Sequence, residues 1–300
     1  MNNHLKGNLD LKSIDLKEHM ENFIDYLDVN EKTLIAYRYG ITGFLTYLES
    51  NGIKLPQRND VVEFRNNLRD NYSSATVNMY MASVRALFKY LHINKLYENI
   101  TENIKGSKYS EIPKKEILSL DQVKYIYENL EDLEEKSLWS LLFTTGLRGC
   151  EVTTANIEDI KQYNGENVLF VLGKKRDDKS EYVKLSDQVL NDIKNYIGNR
   201  NQGSIFISKS NNNKGNGITT KTIRVKIKTI YKRFGLEGNS YSVHSSRRSM
   251  ATISYQLGQN IYDIKSVLRH KSINTTTRYI NACVRNENKT ESIVSNAMLG

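Results

Sequence analysis

Apolar residues recurring three or four positions apart over most of the chain restrict it to packed helices. In the first third, Leu16, Met20, Phe23 and Leu27 form one stripe, and Leu34, Tyr37, Ile41, Phe44 and Leu48 form a second. That spacing brings side chains onto one face of a helix. Asn30 is the expected N-cap of the second helix, since its side chain can accept from a free first-turn amide, and Asn51 with Gly52 is its expected stop. Asn59 or Asp60 should open a short third helix, and the pair Ser73 and Ser74 a fourth carrying Val77, Tyr80, Met81, Val84, Phe88 and Leu91. The result is a helical domain over residues 1–108, about one hundred residues and an ordinary domain size.

Beyond it, GSKYSEIPKKEIL (106–118) mixes Gly, Ser, Pro and Lys without a period, so residues 109–117 read as a linker. A second domain over 118–300 opens at SLDQV, where Ser119 can cap a helix carrying Val123, Ile126 and Leu130. Another helix, through Leu138, Leu141 and Leu142, runs into TTGLRGCEV. The period then changes. NVLFVLG (167–173) and EYVKL (181–185) are short strand-like runs around the charged turn KKRDDKS, which predicts a hairpin. SIFIS is expected to add a third strand after the helix of SDQVLNDIKNYI, and the chain from Ile218 onward reads as helical again. The fold class is therefore mainly α with a small antiparallel β-sheet in the C-terminal domain.

Lys plus Arg exceed Asp plus Glu, 43 against 34, a net charge of +9 that favours a polyanionic partner such as nucleic acid. No apolar run is long enough to span a bilayer and charge interrupts the first twenty residues, so the chain is read as cytoplasmic, without membrane partners. Cys150 and Cys283 lack a CxxC partner and the five histidines are scattered, so no metal is expected.

Four pieces of the second domain carry chemistry. TTGLRGCEV places Arg148 after Gly146, where the backbone can turn, with Glu151 three residues on. VHSSRRSMAT sets His244 and Arg247 three apart, on one helical face. The hairpin turn holds Lys174, Lys175, Arg176 and Lys179, and RHKSINTTTRY adds His270 and Tyr279. Singly, each reads as ordinary surface. Jointly, the arginines offer forked donors for phosphate oxygens, while the lysine and histidines can donate or shuttle protons. Tyrosine, with an ordinary pKa of roughly 10, needs such neighbours to become a nucleophile.

These segments resemble the tyrosine recombinases, the phage integrase family. TTGLRGCEV is similar to the family's first arginine box, VHSSRRSMAT to its HxxR box, and VLRHKSINTTTRY to its LGHxSxxTTxxY box. The hairpin resembles the one carrying the family lysine, which points to Lys174, with Lys175 the alternative. There are departures: Arg269 stands where glycine is common, Lys175 where glycine often follows the lysine, and the hairpin turn is about two residues longer.

The resemblance implies a SAM-like helical core-binding domain joined to a recombinase catalytic domain, closing as a clamp on double-stranded DNA. It implies Tyr279 as nucleophile, Arg148, Arg247 and His270 as phosphate ligands, His244 as base or proton shuttle, Lys174 as acid and Glu151 as support. No cofactor is implied. Lys221, Arg224 and Lys228 in ITTKTIRVKIKTIYKRFG are candidate DNA contacts, along with Lys175 and Arg176; a solvated face is the equal alternative for the helix. Ile293, Val294, Ala297 and Met298 recur at helical spacing in the tail 281–300, which is expected to dock on a neighbouring protomer, four protomers of this chain, or of this chain with a related recombinase partner, acting on two DNA sites. With the core-binding helices beginning near residue 13, no room is expected for a separate arm-binding domain, as in a simple Xer-like enzyme. The rival readings are a topoisomerase of the type IB kind and a catalytically silent DNA-binding protein of the same fold.

Overall fold

The structure, a computed structural model, describes residues 16–108, 116–173, 178–238, 240–287 and 290–299. The chain divides into two compact units, Met1–Glu111 and Ile112–Gly300, and each buries its own apolar cluster.

The first unit contains α1 (Leu16–Tyr26), α2 (Glu31–Ser50), α3 (Arg58–Asn71) and α4 (Ser74–Ile93). Asn30 accepts from the Thr33 amide at 3.1 Å, and Ser73 from the Thr76 amide at 3.3 Å, so both caps form as expected. Past Asn51, Gly52 turns the chain with φ of 67°. Two boundaries differ from expectation. Helix α3 opens at Arg58 because Asp60 caps from inside its first turn, its carboxylate accepting from the Gln57 amide at 2.5 Å. Leu27 lies beyond the end of α1 and packs on the core from the turn.

Helices α2 and α4 approach closely at Gly40, where an added Cβ would stand 2.5 Å from the Ser83 hydroxyl. The chain leaving α4 is fastened back onto the unit by arginines. Arg85, Arg65 and Arg69 donate to the carbonyls of Ile104, Lys105 and Gly106 at 3.0, 3.1 and 2.7 Å. Arg58 reaches the carbonyl of Glu102, and the Asn78 side chain pairs with the Ser107 backbone in both directions. Cationic side chains thus satisfy carbonyls that irregular backbone would otherwise leave unpaired.

The second unit begins with α5 (Leu120–Glu128), closed at its start by reciprocal bonds between Ser119 and Gln122 at 2.9 and 3.2 Å. Helix α6 (Leu133–Thr145) is buried on nearly every face and forms the centre of the unit, with Trp139 stacked on Phe143 at 4.2 Å between ring centroids. A short α7 (Gly149–Thr153) leads into the sheet of β1 (Ile160–Tyr163), β2 (Glu166–Val171) and β3 (Glu181–Lys184), antiparallel in the order β1-β2-β3. Then follow α8 (Asp187–Ile197), α9 (Thr220–Arg233), α10 (Val243–Gln256), α11 (Ile261–Val267), α12 (Ile273–Glu287) and α13 (Thr290–Leu299).

The β2–β3 hairpin stands where the sequence reading put it, but its third strand is a different one. SIFIS does not join the sheet: Ile205 and Phe206 are buried in the core while Ser204 and Ile207 make isolated bridges to Asn156 and Gly217. β1 takes the place instead. Only Ile160 of its four residues is shielded, so it lacks an apolar signature; its signal is Asn164-Gly165, both at positive φ (51° and 77°), the dipeptide of a tight hairpin turn. No helix among the described residues is long and apolar enough to cross a membrane.

Candidate active site

Arg247 lies where two helix ends meet. Helix α6 stops at Gly146, φ 61°, where an added Cβ would stand 2.7 Å from Cδ2 of Leu268, the C-cap of α11. Such an approach requires glycine. Arg247, wholly buried on α10, donates Nη1 to the Gly146 carbonyl at 2.5 Å and Nη2 to the Leu268 carbonyl. Both acceptors sit at the electronegative ends of helices, which offsets part of the cost of burying the cation. Burial first, then Arg148, lowers the guanidinium pKa to about 10, so it stays charged at neutral pH. Its Nε is buried without a protein acceptor.

Arg148 caps α7 together with Glu151. The Arg148 amide donates to one carboxylate oxygen at 2.8 Å and its Nη1 to the other at 2.6 Å. Arg269 supplies another donor to the same wholly buried carboxylate, Nη2 to Oε2 at 2.7 Å. Burial alone would raise the Glu151 pKa; Arg269, followed by Arg148, outweighs it and holds the carboxyl below its usual range. Arg269 has φ of 53°, and its amide and that of His270 bond back to Ser266 and Lys265. This is the motif that ends a helix with a left-handed residue, usually glycine.

Tyr279 projects from α12, and its hydroxyl lies 2.7 Å from Nε2 of His244 on α10. The His270 ring stands edge-on to the Tyr279 ring at 5.3 Å, with its Nδ1 2.9 Å from the Thr276 hydroxyl. The Tyr279 carbonyl accepts from Thr252 at 3.2 Å, and Arg248 lies 5.9 Å from the centre of the Tyr279 ring. Desolvation, then the charges of Arg247 and Arg148, lowers His244 to about 4 and His270 to about 3. Both rings are therefore neutral at pH 7, and His244 can accept a proton from the phenol.

The structure thus brings Arg148, Glu151, His244, Arg247, His270 and Tyr279 together, from segments up to 131 residues apart (279 − 148). Lys174, Lys175 and Arg176 lie outside the described residues. Lys221, Arg224 and Lys228 occupy the exposed side of α9, whose Ile223, Ile227 and Ile230 face the core. Sequence reasoning missed Thr276, Thr252 and Arg248 as neighbours of the histidine and tyrosine, although Thr276 stood in the hydroxyl run TTT. Among the described residues no three His, Cys, Asp or Glu side chains stand together as a metal site.

One buried arginine, Arg247, and one partly buried arginine, Arg148, thus stand near a tyrosine bonded to a histidine, an arrangement whose donors match the oxygens of a phosphate. Residues 116–285 match the phage integrase family, and residues 20–95 match the phage integrase N-terminal SAM-like domain. The chain belongs to the phage integrase family. It is 27% identical over 268 residues to tyrosine recombinase XerA of Pyrococcus horikoshii, covering 87% of each chain. Its fold is similar to that of the XerH site-specific recombinase bound to a palindromic difH substrate in a post-cleavage complex, with a TM-score of 0.71 and 19% identity over 93% of this chain and 84% of that one. It is also similar to a lambda integrase tetramer bound to a Holliday junction, with a TM-score of 0.66 and 18% identity over 87% of this chain and 78% of that one.

Proposed function

We propose that the chain is a site-specific DNA recombinase that cleaves and rejoins strands through Tyr279. The observation that carries this reading is the 2.7 Å contact between the Tyr279 hydroxyl and His244 Nε2, next to two arginines. The tyrosine oxygen attacks a scissile phosphodiester and forms a bond to the 3′ phosphate, while the bond to the 5′ oxygen breaks. His244 receives the phenolic proton. A 5′ hydroxyl from a partner strand then attacks the phosphotyrosine and restores the tyrosine. One ester replaces another at each step, so no cofactor is required.

Arg148 and Arg247 neutralise charge that grows on the nonbridging oxygens, each donor contributing up to a few kcal/mol to the transition state. His270, its Nδ1 engaged by Thr276, keeps Nε2 as a phosphate ligand. Lys174, which follows β2 in the sequence, protonates the leaving 5′ oxygen. Lys221, Arg224 and Lys228, with Lys175 and Arg176, contact the DNA backbone, and binding weakens steeply with salt through counterion release. The exposed apolar residues of α13, Ile293, Val294, Met298 and Leu299, support docking on a neighbouring protomer within a tetramer on two DNA sites. A cytoplasmic location is part of this reading, since a DNA-acting enzyme works where its DNA lies.

The test uses supercoiled DNA and nicked duplexes carrying candidate sites, comparing the chain with Tyr279→Phe. A covalent protein–DNA complex lost in the variant supports the reading, and recombinant products distinguish strand exchange from relaxation. No covalent complex with any duplex overturns it.

A further inference from the structure

We propose that Arg269 is a positioning residue, which fixes Glu151 and through it Arg148 for the phosphate and ties this pair to the base of the β2–β3 hairpin. The proposal rests on reading Arg148 as a phosphate ligand. At the left-handed end of α11 a side chain is unfavourable where glycine is free of strain, so a residue other than glycine needs compensation there. The compensation lies across the site. The Arg269 side chain is 8% exposed, its Nη2 donates to Glu151 Oε2 at 2.7 Å, and its Nε stands 3.6 Å from Glu181 Oε2 at the start of β3.

Take Arg269 away, and the donors described above for the Glu151 carboxylate all come from Arg148. One residue would then have to orient the carboxylate and be oriented by it. Arg269 breaks that circularity with a donor from a separate element, fixed by the end of α11. The same side chain faces the strand that leads out of the hairpin turn, so a shift of the hairpin is felt at Arg148 through a single guanidinium. Arg269 touches no reacting atom here. Its effect is on orientation.

Two measurements test this. The first needs no DNA: urea midpoints of wild type, Arg269→Gly, Glu151→Gln and the double variant. The expected result is a double-variant shift clearly smaller than the sum of the single shifts; additive shifts overturn the pairing. Glycine suits the backbone at this position, and Arg269→Asn, also tolerant of positive φ, serves as a second neutral variant. If neither variant folds, the residue serves stability and the proposal fails.

The second measurement uses a nicked duplex recovered from a random library by covalent trapping with the wild-type chain. Arg269→Gly should lower the single-turnover cleavage rate by about tenfold or more at saturating duplex, with affinity held within about twofold, and Arg269→Lys should recover much of the rate. An unchanged rate, an equal loss of rate and affinity, or no recovery by lysine overturns the proposal. Failure of the wild type to trap any duplex counts against Tyr279 as nucleophile, whereas the urea cycle still decides the Arg269–Glu151 pairing.

Discussion

The Tyr279 hydroxyl and the His244 Nε2 atom are 2.7 Å apart, so the histidine stands within direct hydrogen-bond reach of the phenolic proton. Replacing His244 with Ala should slow covalent-complex formation by about 10²-fold, the usual contribution of a positioned base, and leave duplex affinity nearly unchanged. A single-turnover assay checks this. A loss confined to affinity would remove His244 from the proton path.

Arg247 should matter to the fold as much as to chemistry. Arg247→Met keeps the stem but leaves the Gly146 and Leu268 carbonyls without this donor. At about 1–3 kcal/mol for each unsatisfied buried group, the loss should total about 2–6 kcal/mol. Urea unfolding of the free protein measures it.

Gly146→Ala should also destabilise, for two reasons: φ of 61° is strained for alanine, and the new Cβ would press on buried Leu268 at 2.7 Å. About 1–3 kcal/mol is expected. The same substitution at Gly52, also at positive φ but with open space around it, should cost less; comparing the two midpoints separates packing from backbone strain.

Acid should weaken the second unit in a defined window. His244 and His270 have folded pKa values of about 4 and about 3, below the ordinary 6.5, so the unfolded chain binds more protons between those limits. Stability therefore falls as pH drops from about 6.5 towards 3. Glu151, held below its ordinary value, adds a loss of the same sign at the lower end. His270→Gln should reduce the difference in melting temperature between pH 7 and pH 5. An undiminished difference would assign the acid sensitivity elsewhere.

Removing residues 289–300 should leave duplex binding intact and impair synapsis, because α13 exposes Ile293, Val294, Met298 and Leu299. Gel shifts at one site and at two sites read the two effects separately. Unchanged recombination would overturn the docking role.

Helices were legible in the sequence where burial is one-sided: α2 shows apolar residues at helical spacing between Asn30 and the stop at Asn51 and Gly52, and α4 shows them after Ser73. The segment SIFIS misled because Ile205 and Phe206 are apolar for the sake of the core, while their backbone makes isolated bonds, Ile205 to the Ala155 carbonyl and Phe206 to the Ile218 amide, instead of a ladder. β1 escaped notice because a mostly exposed strand of four residues needs no apolar side chains, its place being set by pairing with β2. The residues of the site were legible as separate boxes. Their mutual support was not, because the Arg269–Glu151 and Arg247–Gly146 contacts join residues 118 and 101 positions apart. Arg269 looked like a departure from pattern until its partner was visible.

The guanidinium of Arg247 bolts the end of α6 to the end of α11, and α6 is the central helix of its unit. The site therefore has no stability of its own to lose: its amides around Gly146 and Leu268 should exchange hydrogen at the rate of global opening. A chain that remains folded keeps the Arg247 frame assembled, and local melting offers no route to taking it apart.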